Sequence, residues 1–117
     1  MYKKDKFGKS FEYRDKLEKL EGKIVKFNGE FKKIHEKKEA YNTNIMVFNI
    51  FFEENSKFCC NHVALCMQGN NKKREKMLEK FRNMNEGQKF TFNAKIYKYS
   101  TKNNSRENYG LKITEIL

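Results

Sequence analysis

Apolar and polar residues alternate along much of this chain, and the period of the alternation identifies its elements. Over residues 23–34, Val25, Phe27, Gly29 and Phe31 recur at every second position, with Lys26, Asn28, Glu30 and Lys32 between them. Period two sends one set inward and the other to solvent, which predicts a half-buried strand. Gly29 falls on the inward set. A glycine in the middle of a long strand lets it bend and serve both halves of a small barrel wall. Residues 35–43 are polar and predict a loop. Residues 44–52 predict a second strand that is apolar on both parities, with Met46, Phe48, Ile50 and Phe52 on one and Ile45, Val47 and Phe51 on the other. Residues 53–56 predict a turn and 57–67 a third strand, again apolar on both parities. A strand of that kind needs cover on its second face. An N-terminal helix, a second copy of the chain or a ligand could supply it.

After Gly69 the period changes. Met77, Leu78, Phe81 and Met84 share one helical face, with Lys73, Arg74, Lys76, Lys80 and Arg82 largely elsewhere, which predicts a helix over residues 72–84. Residues 89–99 predict a fourth strand with Phe90, Phe92, Ala94 and Ile96 inward and Thr91, Asn93, Lys95, Tyr97 and Tyr99 outward. A polar loop at 100–108 precedes a fifth strand over 109–117. At the N-terminus, residues 1–9 read as a loose Lys-rich tail. Ser10 reads as the cap of a short helix reaching Leu20, with Gly22 as its stop. The expected organisation is a basic tail and short helix over 1–21, then one barrel domain over 22–117. The class is mainly β with helices.

Composition adds charge to this picture. Across 117 residues, Lys and Arg number 26 against 15 Asp and Glu, a net charge of +11. A positive surface on a small barrel suits a polyanion, with nucleic acid foremost. Nearly all the cations are Lys, Asn is abundant and Pro is absent, a composition that also follows from AT-rich codons and fits a low-GC bacterium or one of its mobile elements. No apolar run approaches a membrane span and no secretory signal opens the chain, so a cytoplasmic protein is expected. Three cysteines, two of them adjacent at Cys59 and Cys60, make a poor disulfide framework and fit a reducing compartment.

Three strands, a helix, then two strands is an order that resembles the oligonucleotide/oligosaccharide-binding barrel, the OB-fold, over residues 22–117. Gly29 in the long first strand, the helix after the third strand, and the phrases Gly87-Gln88-Lys89-Phe90-Thr91-Phe92-Asn93-Ala94 and Asn61-His62-Val63-Ala64-Leu65 carry the likeness to small bacterial and phage proteins of this type. The resemblance implies a five-stranded barrel, and a binding face on strands two and three. Flanking that face would be the loops 35–43, with Lys37, Lys38 and Tyr41, and 100–108, with Lys102 and Arg106.

Candidate chemistry is sparse. Cys59, Cys60, His62 and Cys66 invite a zinc reading, but they lie in one predicted strand. Cys60, His62 and Cys66 would share a face, with Cys66 ~13 Å from His62 at ~3.3 Å per residue. That spacing favours structural thiols over a metal site. No paired carboxylates, phosphate loop or nucleophile motif appears, so neither an enzyme nor a cofactor is expected. Outward Tyr97 and Tyr99 beside Lys95 and Lys98 are what a single strand needs, rings for bases and cations for phosphates, although the same rings could pack on a neighbouring element.

The expected function is non-catalytic binding of single-stranded nucleic acid with little sequence preference, through Lys37, Lys38, Tyr41, Lys95, Tyr97, Lys98, Tyr99, Lys102 and Arg106. The partner would be the strand itself or a protein bound to it, without a membrane. A homodimer through strands two and three would use the same apolar face. The alternative is a phage- or plasmid-type protein-interaction module that docks on a host protein and inhibits it, for example as an anti-defence protein. Exposed aromatics with nearby lysines on the strand two–three face favour nucleic acid, and an apolar patch without cations favours a protein partner.

Overall fold

The computed structural model describes residues 1–35, 43–67, 71–103 and 105–117. A two-stranded hairpin, β1 (Tyr2–Lys4) and β2 (Ser10–Glu12), is followed by a 3-10 helix (Asp15–Leu20). Then come β3 (Ile24–His35), β4 (Asn44–Phe52), β5 (Phe58–Met67), helix α1 (Asn71–Arg82), β6 (Lys89–Thr101) and β7 (Arg106–Ile116). The five long strands close into a barrel in the order β3-β4-β5-β7-β6. No helix among the described residues is long and apolar enough to cross a membrane.

The long strand β3 closes the barrel because it pairs along both edges. Phe27 to His35 pair with β4, and Ile24 to Glu30 pair with β6. At the crossing, a Cβ on Gly29 would lie 2.5 Å from Val47 Cγ1 and 3.4 Å from Phe92. The bare backbone at this point is what lets β4 and β6 approach. A chain of rings fills the interior. Phe27 stacks on Phe92 at 5.7 Å, Phe92 on Phe90 at 5.1 Å, Phe90 meets Phe81 edge-on at 5.5 Å, and Phe81 stacks on Phe31 at 5.9 Å. Phe81 comes from α1, so the buried Met77, Leu78 and Phe81 face of that helix plugs one end of the barrel.

The twofold apolar character of the middle strands has a local cause. Asn49 adopts φ 52°, and the pairing of β3 with β4 shifts there, so that Asn49 and Ile50 together oppose Gly29. Such a bulge reverses the in-out alternation. Ile45 and Val47 point inward before it, and Ile50 after it, although Ile50 is on the opposite parity. Phe48 and Asn49 are both exposed. Strand β5 turns with its partner: Val63 and Leu65 are buried on one parity, Cys60 on the other, and Asn61 and His62 between them are exposed. The grouping of Cys60, His62 and Cys66 on one face is therefore corrected. Cys60 is buried in the wall and His62 is on the outside.

The N-terminus also departs from expectation. Residues 2–4 are a strand, not a loose tail, and Ser10 begins β2 instead of capping a helix. The Asp5 carboxylate accepts the backbone N–H groups of Phe7 and Lys9, and Gly8 at φ 77° completes the reversal. A local Asx-type turn thus folds the chain back before a helix can start. Helical structure begins only at Asp15, as a 3-10 helix, with Leu17 fully buried.

This segment seals the barrel's weakest seam. The parallel pair β5–β7 registers at Cys66↔Lys112 and Met67↔Ile113 among the described residues. Beside it Arg14, only 8% exposed, donates from Nη2 to the His62 carbonyl on β5 at 3.0 Å and from Nη1 to the Tyr109 carbonyl on β7 at 2.9 Å. Asn108 accepts the Arg14 N–H and donates to the Glu12 carbonyl, while the Glu12 carboxylate accepts the Asn61 N–H. Side chains of the N-terminal segment thus replace the hydrogen bonds that two diverging strands cannot give each other.

Candidate nucleic-acid interface

The outer face of β4–β5 carries the exposed rings of the barrel. Phe48, 39% exposed, lies opposite His62 with ring centroids 6.0 Å apart. Phe58, 36% exposed, meets Phe51 edge-on at 5.5 Å. Met46 and Ala64 are paired on the same face, both half-buried. Each exposed phenylalanine has a lysine beside it. Lys32 Nζ is 5.9 Å from the Phe48 ring centroid, and Lys16 Nζ is 5.3 Å from that of Phe58. Lys16 is fixed by a hydrogen bond to the Phe58 carbonyl at 2.8 Å. Lys32 forms an exposed ion pair with Glu86, which holds the Glu86 carboxyl below the usual carboxylate range. Because both partners are solvated, a phosphate can replace that carboxylate at small cost.

The bulge at Asn49 produces this face. Without it, Phe48 and Phe51 would lie on opposite sides of β4, one of them inside the barrel. Asparagine tolerates the left-handed backbone that the bulge needs. The N-terminal segment borders the face without covering it. Tyr2 and Glu12 reach Asn61, Arg14 reaches the His62 carbonyl, and the His62 ring remains exposed.

No protein family, curated protein or solved structure matches this chain.

The residues expected from the sequence are dispersed. Lys37, Lys38 and Tyr41 lie outside the described residues. Tyr97 and Tyr99 are neighbours on the outside of β6 at 5.9 Å, both half-buried, and both hydroxyls are engaged. The Tyr97 ring lies across Gly110, where a Cβ would approach it to 2.6 Å, and its hydroxyl meets Cys66 Sγ at 3.1 Å. Burial and the Cys66 thiol push the Tyr97 phenol well above its usual range, so it stays neutral. The Tyr99 hydroxyl accepts from Arg14 Nη1 at 3.3 Å. Lys95 and Lys98 are exposed, Lys98 facing Glu107 at 4.0 Å. Arg106 donates to Asp5 at 3.2 Å and covers the Phe11 ring at 5.0 Å, while Lys102 lines a separate shallow cleft with Lys3 and Lys4. The structure thus gathers Lys102 and Arg106 around the N-terminal hairpin. Tyr97 touches β5, through Cys66.

Lys16, Lys32, Phe48, Phe58 and His62 were not singled out from the sequence as binding residues. The available signal was the surplus of rings on strands two and three, which could not be assigned to a face without knowing where the bulge falls. Cys59 and Cys60 are buried, and the hydrogen bond to Cys60 together with burial raises the Cys59 thiol, which keeps it protonated. Among the described residues no three His, Cys, Asp or Glu side chains converge as a metal site would require.

Proposed function

We propose that this chain is a non-catalytic, OB-type barrel that binds single-stranded nucleic acid across the outer face of β4–β5. The barrel order β3-β4-β5-β7-β6, its parallel β5–β7 closure and a helix between β5 and β6 are compatible with that fold. The observation that carries the reading is the pairing of exposed rings with lysines: Phe48 with Lys32, and Phe58 with Lys16. Bases stack on the rings and the ammonium groups neutralise the phosphates between them. Stacking is worth ~1–3 kcal/mol per base and does not discriminate strongly among bases. A duplex keeps its base faces covered and cannot use these rings. The docking alternative expects an apolar patch without cations, so the two lysines weigh against it.

Fluorescence anisotropy of labelled single-stranded DNA and RNA, set against duplex across a salt series, tests the proposal. The expected result is saturable binding of a single strand, with log affinity falling by about 0.7 per neutralised phosphate for each tenfold rise in salt. Equal, weak binding of every polyanion, vanishing at physiological salt, would refute it and leave a protein partner or a second copy of the chain for this face.

A further inference from the structure

Beside the exposed rings, the bulge opens a groove of about 590 Å³ over Gly29, walled by Asn28 and Glu30 of β3, Asn49 and Phe51 of β4, and Lys89 and Thr91 of β6. Its polar groups are arranged, not random. Asn28 lines the groove and accepts from Thr91 Oγ1 at its Oδ1 at 2.6 Å, so the hydrogen bonds it can still give are those of its amide nitrogen. Asn49, held outward by its left-handed backbone, donates through Nδ2 to Glu30 Oε2, which fixes the carboxylate and leaves Glu30 Oε1 as an acceptor. Donor and acceptor therefore stand two residues apart on the outward side of one strand. Glu30 is also the cross-strand neighbour of Phe48, and Lys89 is its neighbour on the other side.

A carboxylate beside a face meant for a polyanion is unfavourable toward phosphate. It is favourable only toward groups that donate hydrogen bonds, which in single-stranded DNA are the base edges and in RNA also the 2′-hydroxyls. The Watson–Crick edge of guanine presents an acceptor, O6, followed by two donors, N1–H and N2–H. That order matches a donor from Asn28 followed by the Glu30 carboxylate. Thymine and uracil share the first acceptor and the central donor, but place a second acceptor, O2, where guanine offers N2–H to the carboxylate. Seated in the same orientation as guanine, cytosine and adenine place a donor where Asn28 donates. We infer that the groove over Gly29 is a guanine-reading subsite, with Glu30 and Asn28 on the base edge, Phe51 against the ring and Lys89 toward the phosphate. This rests on the single-strand reading above and narrows it, because one position along the strand becomes selective while the stacking positions stay tolerant.

The test uses short labelled oligothymidylates that differ at one central position, which holds thymidine, guanosine, inosine or adenosine, with free guanosine monophosphate as a separate arm. The guanosine oligonucleotide is expected to bind about tenfold tighter than the all-thymidine one, as a bidentate base contact allows. Inosine, which lacks the N2 amino group, should retain only part of that gain, and adenosine none. In Glu30→Gln the ratio of guanosine to thymidine affinity should fall to about one. The inosine comparison alters only the ligand, so it stands even if the variant is unstable. Equal affinity for all four oligonucleotides overturns the guanine subsite and leaves the single-strand reading intact. Absence of binding by any of them overturns both. Guanosine monophosphate binding as tightly as the guanosine oligonucleotide would make the groove a free-nucleotide site and remove the strand from the inference.

Discussion

Replacing Arg14 tests whether the N-terminal segment is part of the barrel or an appendage to it. The guanidinium is 8% exposed and serves the His62 carbonyl, the Tyr109 carbonyl and the Tyr99 hydroxyl. In Arg14→Met the aliphatic stem is kept and the fork is lost, leaving two backbone carbonyls on diverging strands without a donor. A net hydrogen bond to a charged group is worth ~1.5–3 kcal/mol, and unsatisfied carbonyls add desolvation, so with non-additivity the loss should be ~3–5 kcal/mol. A domain of this size has total stability of order 5–15 kcal/mol, so the variant should still fold at room temperature. Its melting midpoint should drop by roughly 10–20 °C. Arg14→Lys keeps the charge but cannot bridge two strands with one planar fork, so it should recover less than half of the loss. Urea unfolding of the three proteins, with circular dichroism and calorimetry as separate probes, measures this. A midpoint for Arg14→Met within about 2 °C of the parent would refute the reasoning and make the seam self-sufficient.

Other consequences follow from single contacts. Gly29→Ala puts a methyl 2.5 Å from Val47 Cγ1 and should cost ~1–3 kcal/mol. Val47→Ala in the same chain should return part of that cost in a double-mutant cycle, and additive losses would mean that the backbone moves instead. Phe81→Ala removes the ring that joins α1 to Phe31 and Phe90 and should destabilise by ~3–5 kcal/mol in urea unfolding. The Asp5 carboxyl is held below its ordinary value of 3.8: burial opposes its ionisation, but the Lys9 and Phe7 N–H groups and Arg106 outweigh burial. Because the folded pKa is depressed, this stabilisation is present above that ordinary value and fades as pH falls through the folded one. The Phe7 and Lys9 amides should therefore lose hydrogen-exchange protection on acidification while β6 amides stay protected. Simultaneous loss in both would tie the hairpin to global unfolding.

Strands β3 and β6 were legible because their inward residues obey period two. Phe90, Phe92, Ala94 and Ile96 mark β6 without ambiguity, and all four are buried. Met77, Leu78 and Phe81 mark the helix equally well. What sequence reasoning could not supply was the parity of β4. Asn49 is an ordinary polar residue in a strand pattern until its left-handed backbone is seen, and only then do Phe48 and Phe51 share the outer face. Arg14 was hidden for a different reason. It satisfies carbonyls 48 and 95 residues away in sequence, and no local pattern encodes that. Ser10 misled because capping residues also open strands, and the Asp5–Gly8 turn was the stronger signal. Tyr97 and Tyr99 were read correctly as outward from β6. Their burial against Gly110, Cys66 and Arg14 depends on strands β5 and β7, which meet β6 only in the folded barrel.

The central claim is that a single strand lies on β4–β5. The most direct measurement is a 1H–15N chemical-shift titration of the intact chain with a short single-stranded oligonucleotide at near-physiological salt. Perturbations are expected to centre on Phe48, Phe51, Phe58 and His62, to extend to Lys16 and Lys32, and to be absent from the outer face of α1. Shifts confined to the lysine-rich face of α1 or to the cleft of Lys3, Lys4 and Lys102, with the Phe48–His62 face unmoved, would contradict it.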